Sequence, residues 1–344
     1  MSWPAARQAW RLCDVMTTMR AARLMQPGHV EVDTFVVPEP GLGQVLVRMH
    51  RASICGSDVH VVFDGFEPDQ LPAAPGYPGH EGVGEVVESR SAGFATGDRV
   101  LTVPIPGQGG CFAEFQLVDE ISLVALPSDG DVASLLMAQQ LGTTIYAFRR
   151  FWPQDGAEPR AATLIGAGSA GLFFLQQLRE AGFETIVVAD REPARLEIAR
   201  KLGASACVCA PADSVVEATM DLTGGEGADL VIEAAGFDAC RAQAVEAVRE
   251  RGRVGLFGFP ERKGESPFPV NLAFRKGVSI LFSVGTQREP GLRSFLEAVD
   301  AIRWGRIEVG YCLAPDFTIE QVPEALAMAR EWGRGAVKLN IELA

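Results

Sequence analysis

The stretch Ala161-Ala162-Thr163-Leu164-Ile165-Gly166-Ala167-Gly168-Ser169-Ala170-Gly171 decides the fold. Its first five residues form a short run without polar alternation, the pattern of a strand buried on both faces. A G-x-G-x-x-G turn follows at once, and Leu172 to Ala181 reads as a helix. Thr185 to Ala189 is the next buried strand, and it ends in Asp190. Strand, glycine turn, helix and a later acidic residue together make a dinucleotide-binding fingerprint. Gly166 permits the tight turn, Gly168 lets a pyrophosphate approach the backbone, and Gly171 lets the helix pack on the strand. The helix N-terminus, with Ser169 and Ala170, faces the phosphates. Asp190 is placed to accept hydrogen bonds from the adenosine ribose and to repel a 2′-phosphate, which favours NAD. Arg191 would welcome that phosphate, so NADP is the alternative.

Downstream the alternation continues. Helical segments at Arg195 to Leu202, Val215 to Leu222 and Cys240 to Val248 are interleaved with strand-like runs at Ala206 to Cys209, Leu230 to Ile232, Val254 to Phe257 and Val278 to Val284. Such a series implies an α/β fold, a doubly wound parallel sheet covered by helices. Upstream, from Met19, the chain is β and turn, punctuated by Pro38, Pro40, Pro72, Pro75, Pro78, Pro104 and Pro106, which rule out long helices there. The tail carries a helix from Val322 to Trp332 and a closing strand from Val337 to Ile341.

A chain of 344 residues is long for one core, so more than one domain is expected. The net charge of −13 argues against nucleic acid and against an anionic membrane surface as partners. Seven scattered cysteines fit reduced thiols and a cytoplasmic setting better than a disulfide framework. No run of 18 apolar residues suggests a membrane span.

Two further segments carry chemistry, Ile54-Cys55-Gly56-Ser57-Asp58-Val59-His60 and Gly79-His80-Glu81-Gly82-Val83-Gly84. They hold a thiol, two of the four histidines in the chain, a hydroxyl and two carboxylates. Cys55, His80 and Glu81 are donor types that zinc takes.

With Gly97-Asp98-Arg99-Val100 and the nucleotide turn, these segments resemble the zinc-dependent medium-chain dehydrogenase/reductase family of alcohol and polyol dehydrogenases. The likeness runs from about Met19 to the C-terminus. It implies a GroES-like β-rich catalytic domain made of both chain ends, residues 19–148 and 303–344. It implies a Rossmann NAD-binding domain over 149–302, and leaves 1–18 as an N-terminal extension. It implies a catalytic zinc on Cys55 and His80 with Glu81 beside it, and a proton relay at Ser57 and His60. Asp58 is expected to orient the zinc shell. The third-ligand position of the family falls on Gln139, with Gln140 the other candidate. The loop that carries a structural zinc in many relatives holds only Cys111 here, so one catalytic zinc and no structural zinc is expected. Arg195 matches a cation at the adenosine ribose, Lys338 one near the pyrophosphate, and Thr143 a residue facing the nicotinamide.

The implied reaction is hydride transfer between a small-molecule alcohol (a secondary alcohol, polyol or cyclic alcohol) and NAD. A zinc-free quinone or enoyl reductase of the same superfamily would lack Cys55 and the His80-Glu81 pair. A dinucleotide-binding protein without turnover would show no NADH formation on any alcohol. An apolar edge at Val278 to Val284 suggests a homodimer or homotetramer.

Overall fold

The computed structural model describes residues 17–66, 68–105, 107–153 and 156–343. The expected N-terminal extension therefore lies outside the described residues, except at Thr17 and Thr18. Thr18 already opens the first hairpin, β1 (Thr18–Gln26) and β2 (His29–Val36). The chain continues with β3 (Gln44–Ile54), α1 (Gly56–Phe63), β4 (Glu81–Ser89), β5 (Arg99–Thr102), β6 (Phe115–Asp119) and β7 (Leu123–Ala125). Next come α2 (Val132–Leu136) and α3 (Ala138–Phe151). The nucleotide half runs β8 (Ala161–Ile165), α4 (Ser169–Glu180), β9 (Thr185–Asp190), α5 (Pro193–Lys201), β10 (Ala206–Cys209) and α6 (Val215–Leu222). It closes with β11 (Ala228–Glu233), α7 (Asp238–Ala247), β12 (Val248–Leu256), α8 (Val270–Lys276), β13 (Ser279–Phe282) and α9 (Arg293–Arg303). The tail adds β14 (Asp316–Thr318), α10 (Val322–Arg330) and β15 (Leu339–Glu342).

The six nucleotide-half strands form one parallel sheet in the order β10-β9-β8-β11-β12-β13. The order reverses at β8, and that switch point opens a crevice at the strand carboxyl ends. Every residue of β8 is buried, as its unbroken apolar run requires, because helices cover both faces. On α4, Leu172, Phe173, Phe174, Leu175 and Leu178 are fully buried, each worth about 1.5–3 kcal/mol of transfer free energy.

The second sheet has seven strands, β14-β15-β3-β4-β5-β7, with β6 also on β3. Its members come from both ends of the chain. β15 runs antiparallel to β3 with Leu339 opposite Ile54 and Asn340 opposite Ser53. On the other side of β3, Ser53 lies opposite Glu81 at the start of β4. This register brings residues around 54, 81 and 338 to one place. After β7 the chain turns helical as α2 and α3, and α3 packs against α9 and α4 between the two sheets.

Candidate active site

The site starts from the way α1 begins. Cys55 is its N-cap, and Asp58, three residues on, turns back to accept a hydrogen bond from the Cys55 N–H at 2.8 Å. The other oxygen of Asp58 lies 2.9 Å from His80 Nδ1. One buried carboxylate thus ties the two sequence segments together. With Nδ1 committed, Nε2 of His80 is left to face the site.

Cys55 Sγ, a ring nitrogen of His80 and a carboxylate oxygen of Glu81 lie within 4.8 Å of one another. Among the described residues this is the one group of His, Cys, Asp and Glu that converges so closely. Thiolate, imidazole and carboxylate suit zinc, and three protein donors leave a position open. Glu81 Oε1 is buried and has no hydrogen-bond partner, an unsatisfied acceptor that a cation would satisfy. The residues present therefore fit the metal.

Burial disfavours ionisation of Glu81, but the charges of Lys338 and His80 outweigh it and hold the carboxyl below its ordinary value. Burial likewise opposes charge on His80, yet Asp58 and Cys55 raise the imidazole well above its usual range. Lys338 is 3% exposed, and its Nζ lies 2.5 Å from Glu81 Oε2. Ser53 donates to the same oxygen at 2.5 Å. The expected contact of Lys338 with a pyrophosphate is thus corrected: the ammonium is sealed against the metal-site carboxylate, because pairing of β15 with β3 points it there.

Ser57 Oγ stands 3.4 Å from His80 Nε2, at the mouth of the cluster. His60 lies one turn further along α1. Its Nδ1 is 2.9 Å from Asp64, and its ring stacks on Phe259 with centroids 5.2 Å apart. Phe66 meets both rings edge-on. Phe259 follows β12, so this cluster joins the two halves of the chain across the cleft, a contact with no local sequence signal. Trp152 packs on Phe183 and Arg253 in the nucleotide half.

Gln139 lies in the first turn of α3, buried, with its Nε2 unpartnered. Gln140 Oε1 is 3.4 Å from Lys338 Nζ. Thr143 turns its hydroxyl back onto the Gln140 carbonyl at 2.7 Å. Cys111 is fully buried, and its thiol donates to the Glu81 carbonyl at 3.2 Å.

At the nucleotide turn, Gly166 has φ +107°, a conformation side chains rarely adopt. A Cβ on Gly171 would sit 1.9 Å from the Gly166 carbonyl oxygen, so α4 reaches the strand only through a glycine. A Cβ on Gly168 would meet nothing within 4 Å, which leaves open space where a phosphate would come. Asp190 accepts hydrogen bonds from the N–H of Ala167 at 2.6 Å and of Glu192 at 2.9 Å, which fixes its carboxylate beside the turn. The backbone and acid thus fit a dinucleotide. Arg195 does not stand open at the ribose as expected. It donates to the carbonyls of Trp332 at 2.6 Å and Ala336 at 2.7 Å.

Residues 41–128 match the alcohol dehydrogenase GroES-like domain, and residues 170–302 match the zinc-binding dehydrogenase family. The chain belongs to the zinc-type medium-chain alcohol and polyol dehydrogenases. Within this family it is 24% identical to a sorbitol dehydrogenase of Bacillus subtilis (strain 168), over 95% of this chain and 98% of the relative. It is 29% identical to an L-threonine 3-dehydrogenase of Burkholderia ambifaria (strain MC40-6), over 71% of this chain and 77% of the relative. The fold is that of an alcohol dehydrogenase from Thermus sp. ATN1, with a TM-score of 0.81 at 24% identity, covering 94% of this chain and all of the other. Among the described residues no helix is long and apolar enough to cross a membrane.

Proposed function

We propose that the chain is an NAD-dependent zinc alcohol dehydrogenase acting on a secondary alcohol, polyol or cyclic alcohol. The observation that carries this reading is the convergence of Cys55, His80 and Glu81 within 4.8 Å, with His80 oriented by Asp58. In this reading Cys55 and His80 would hold one zinc with Gln139 as a neutral third donor, and Glu81 would give up its place beside the metal to a substrate oxygen. When bound, zinc would lower the pKa of a substrate hydroxyl and NAD would accept the hydride. Ser57, beside His80 Nε2, accepts the substrate proton and passes it toward the ribose and His60. Phe259 and Phe66 pack on the His60 ring and hold it in place. The amide N–H groups at the start of α4, including those of Ser169 and Ala170, bind the pyrophosphate, and Asp190 binds the ribose hydroxyls.

Metal analysis of the purified protein and NADH formation across a panel of alcohols test this reading. About one zinc per chain and turnover on at least one alcohol are expected. Absence of NADH formation on every alcohol, with zinc bound, would remove the catalytic reading. Asp190→Ser should narrow the preference for NAD; faster wild-type turnover with NADP at equal subsaturating concentrations would reverse the cofactor assignment. Gln139→Cys should slow zinc release to a chelator, and an equal rate would take Gln139 out of the donor set. The assembly we infer is a homodimer or homotetramer, because edge strand β13 and its flank leave Phe282 64% and Val284 82% exposed. Light scattering at a monomer mass would exclude it.

A further inference from the structure

Arg191 follows Asp190 directly, at the end of β9. Asp190 marks where the adenosine ribose hydroxyls lie, so a guanidinium on the next residue is within reach of a 2′-phosphate. In NADP-binding sites a nearby arginine serves that purpose. Yet this guanidinium rests on an aromatic ring. Its carbon lies 5.0 Å from the centre of the Trp332 indole. Among the described residues Arg191 pairs with no carboxylate; the indole is its neighbour.

Trp332 comes from the far end of the chain, just beyond α10. Three features hold it in place. Its ring packs against Phe237, which follows β11, with centroids 5.4 Å apart. Its carbonyl and that of Ala336 accept hydrogen bonds from Arg195 on α5. Its backbone is left-handed, with φ +61°, and so is that of Arg334, with φ +50°. A non-glycine residue stays there only when its surroundings dictate it. The indole therefore spans the loops after β9 and β11, on the two sides of the glycine turn that follows β8. A guanidinium on an aromatic face is attracted to the ring quadrupole and is drawn off other partners.

We propose that Trp332 is a specificity-determining residue: by holding Arg191 against its ring, it withholds the guanidinium from a 2′-phosphate and keeps the protein an NAD enzyme. The inference rests on the NAD reading above and names the residue that secures it. Asp190 repels the phosphate, and Trp332 removes the cation that would compensate. Arg195 is a positioning residue that fixes the carbonyl of Trp332.

Equilibrium binding of NADH and NADPH to the full chain, followed by nicotinamide fluorescence, tests this without recourse to turnover. The variants are Trp332→Ala, Trp332→Leu, Trp332→Phe, Arg191→Ala and Arg191→Ala combined with each of the first two. Thermal melting identifies those that fold. Trp332→Ala and Trp332→Leu should each move the NADPH-to-NADH affinity ratio about tenfold toward NADPH, the scale of a charge-assisted contact to phosphate. Trp332→Phe keeps an aromatic face and should move it little. In the Arg191→Ala background the shift should vanish. Trp332→Leu stands in if the alanine variant does not fold. A ratio unchanged in the folded Trp332 variants, or a shift that persists without Arg191, overturns the inference. A wild-type protein that binds neither nucleotide, or prefers NADPH, overturns the NAD reading itself.

Discussion

Nζ of Lys338 lies 2.5 Å from Oε2 of Glu81, and both side chains are sealed from solvent. A buried pair of this kind is costly to half-remove, because the survivor is left as an uncompensated charge. Lys338→Met should destabilise the protein by about 3–5 kcal/mol in denaturant unfolding, and adding Glu81→Gln should restore part of the loss. The pH dependence follows from the two shifts. Glu81 sits below its ordinary 4.5, so its contribution is present above that value and lost as pH falls through the lower folded pKa. Lys338 sits above its ordinary 10.5, so its contribution is present below that value and lost as pH rises through the higher folded pKa. Unfolding free energies measured from acid to alkali should show a plateau between these limits that is lower in Lys338→Met.

Asp58→Asn keeps an oxygen to cap α1 but removes the carboxylate that orients and charges His80. Zinc affinity should fall about 10–100-fold, measured by competition with a chromogenic chelator. Unaltered affinity would show that Asp58 serves the helix alone.

Ser57→Ala should lower turnover about 10²-fold or more while zinc content and NADH affinity stay at wild-type values. The alanine variant at full activity would take the hydroxyl out of the proton path.

Gly171→Ala places a methyl 1.9 Å from the Gly166 carbonyl oxygen, where only the backbone itself can yield. The variant should lose about 1–3 kcal/mol of stability and bind NADH more weakly. Wild-type melting and affinity together would mean that α4 can slide along β8 at no cost.

The parts of the fold legible in the sequence were those set by local spacing. Gly166, Gly168, Gly171 and Asp190 lie in one strand-helix-strand unit, and their roles follow from backbone sterics. Cys55, His80 and Glu81 could be read because their donor chemistry is distinctive. Lys338 could not be placed that way. Its partner is set by the register of β15 on β3, and a sequence pattern does not fix which distant strands pair. The same holds for Trp332, whose indole meets Arg191 and Phe237 only after the two halves have come together. Arg195 looked like a ribose cation because its position five residues beyond Asp190 is local, whereas the carbonyls it serves are not.

The shared sheet also imposes an order on biosynthesis. Cys55, His80 and Glu81 leave the ribosome before the nucleotide sheet, and β14 and β15 leave it after. Until β15 docks on β3, Glu81 has no ammonium beside it and Ser53 has one neighbouring strand instead of two. A nascent chain that stopped before Lys338 would carry Cys55, His80, Glu81 and the whole nucleotide sheet, yet would lack the counter-charge that lets its buried carboxylate stay ionised. Loss of β15 thus reaches the Cys55, His80 and Glu81 cluster, although the whole nucleotide sheet lies between them in the sequence.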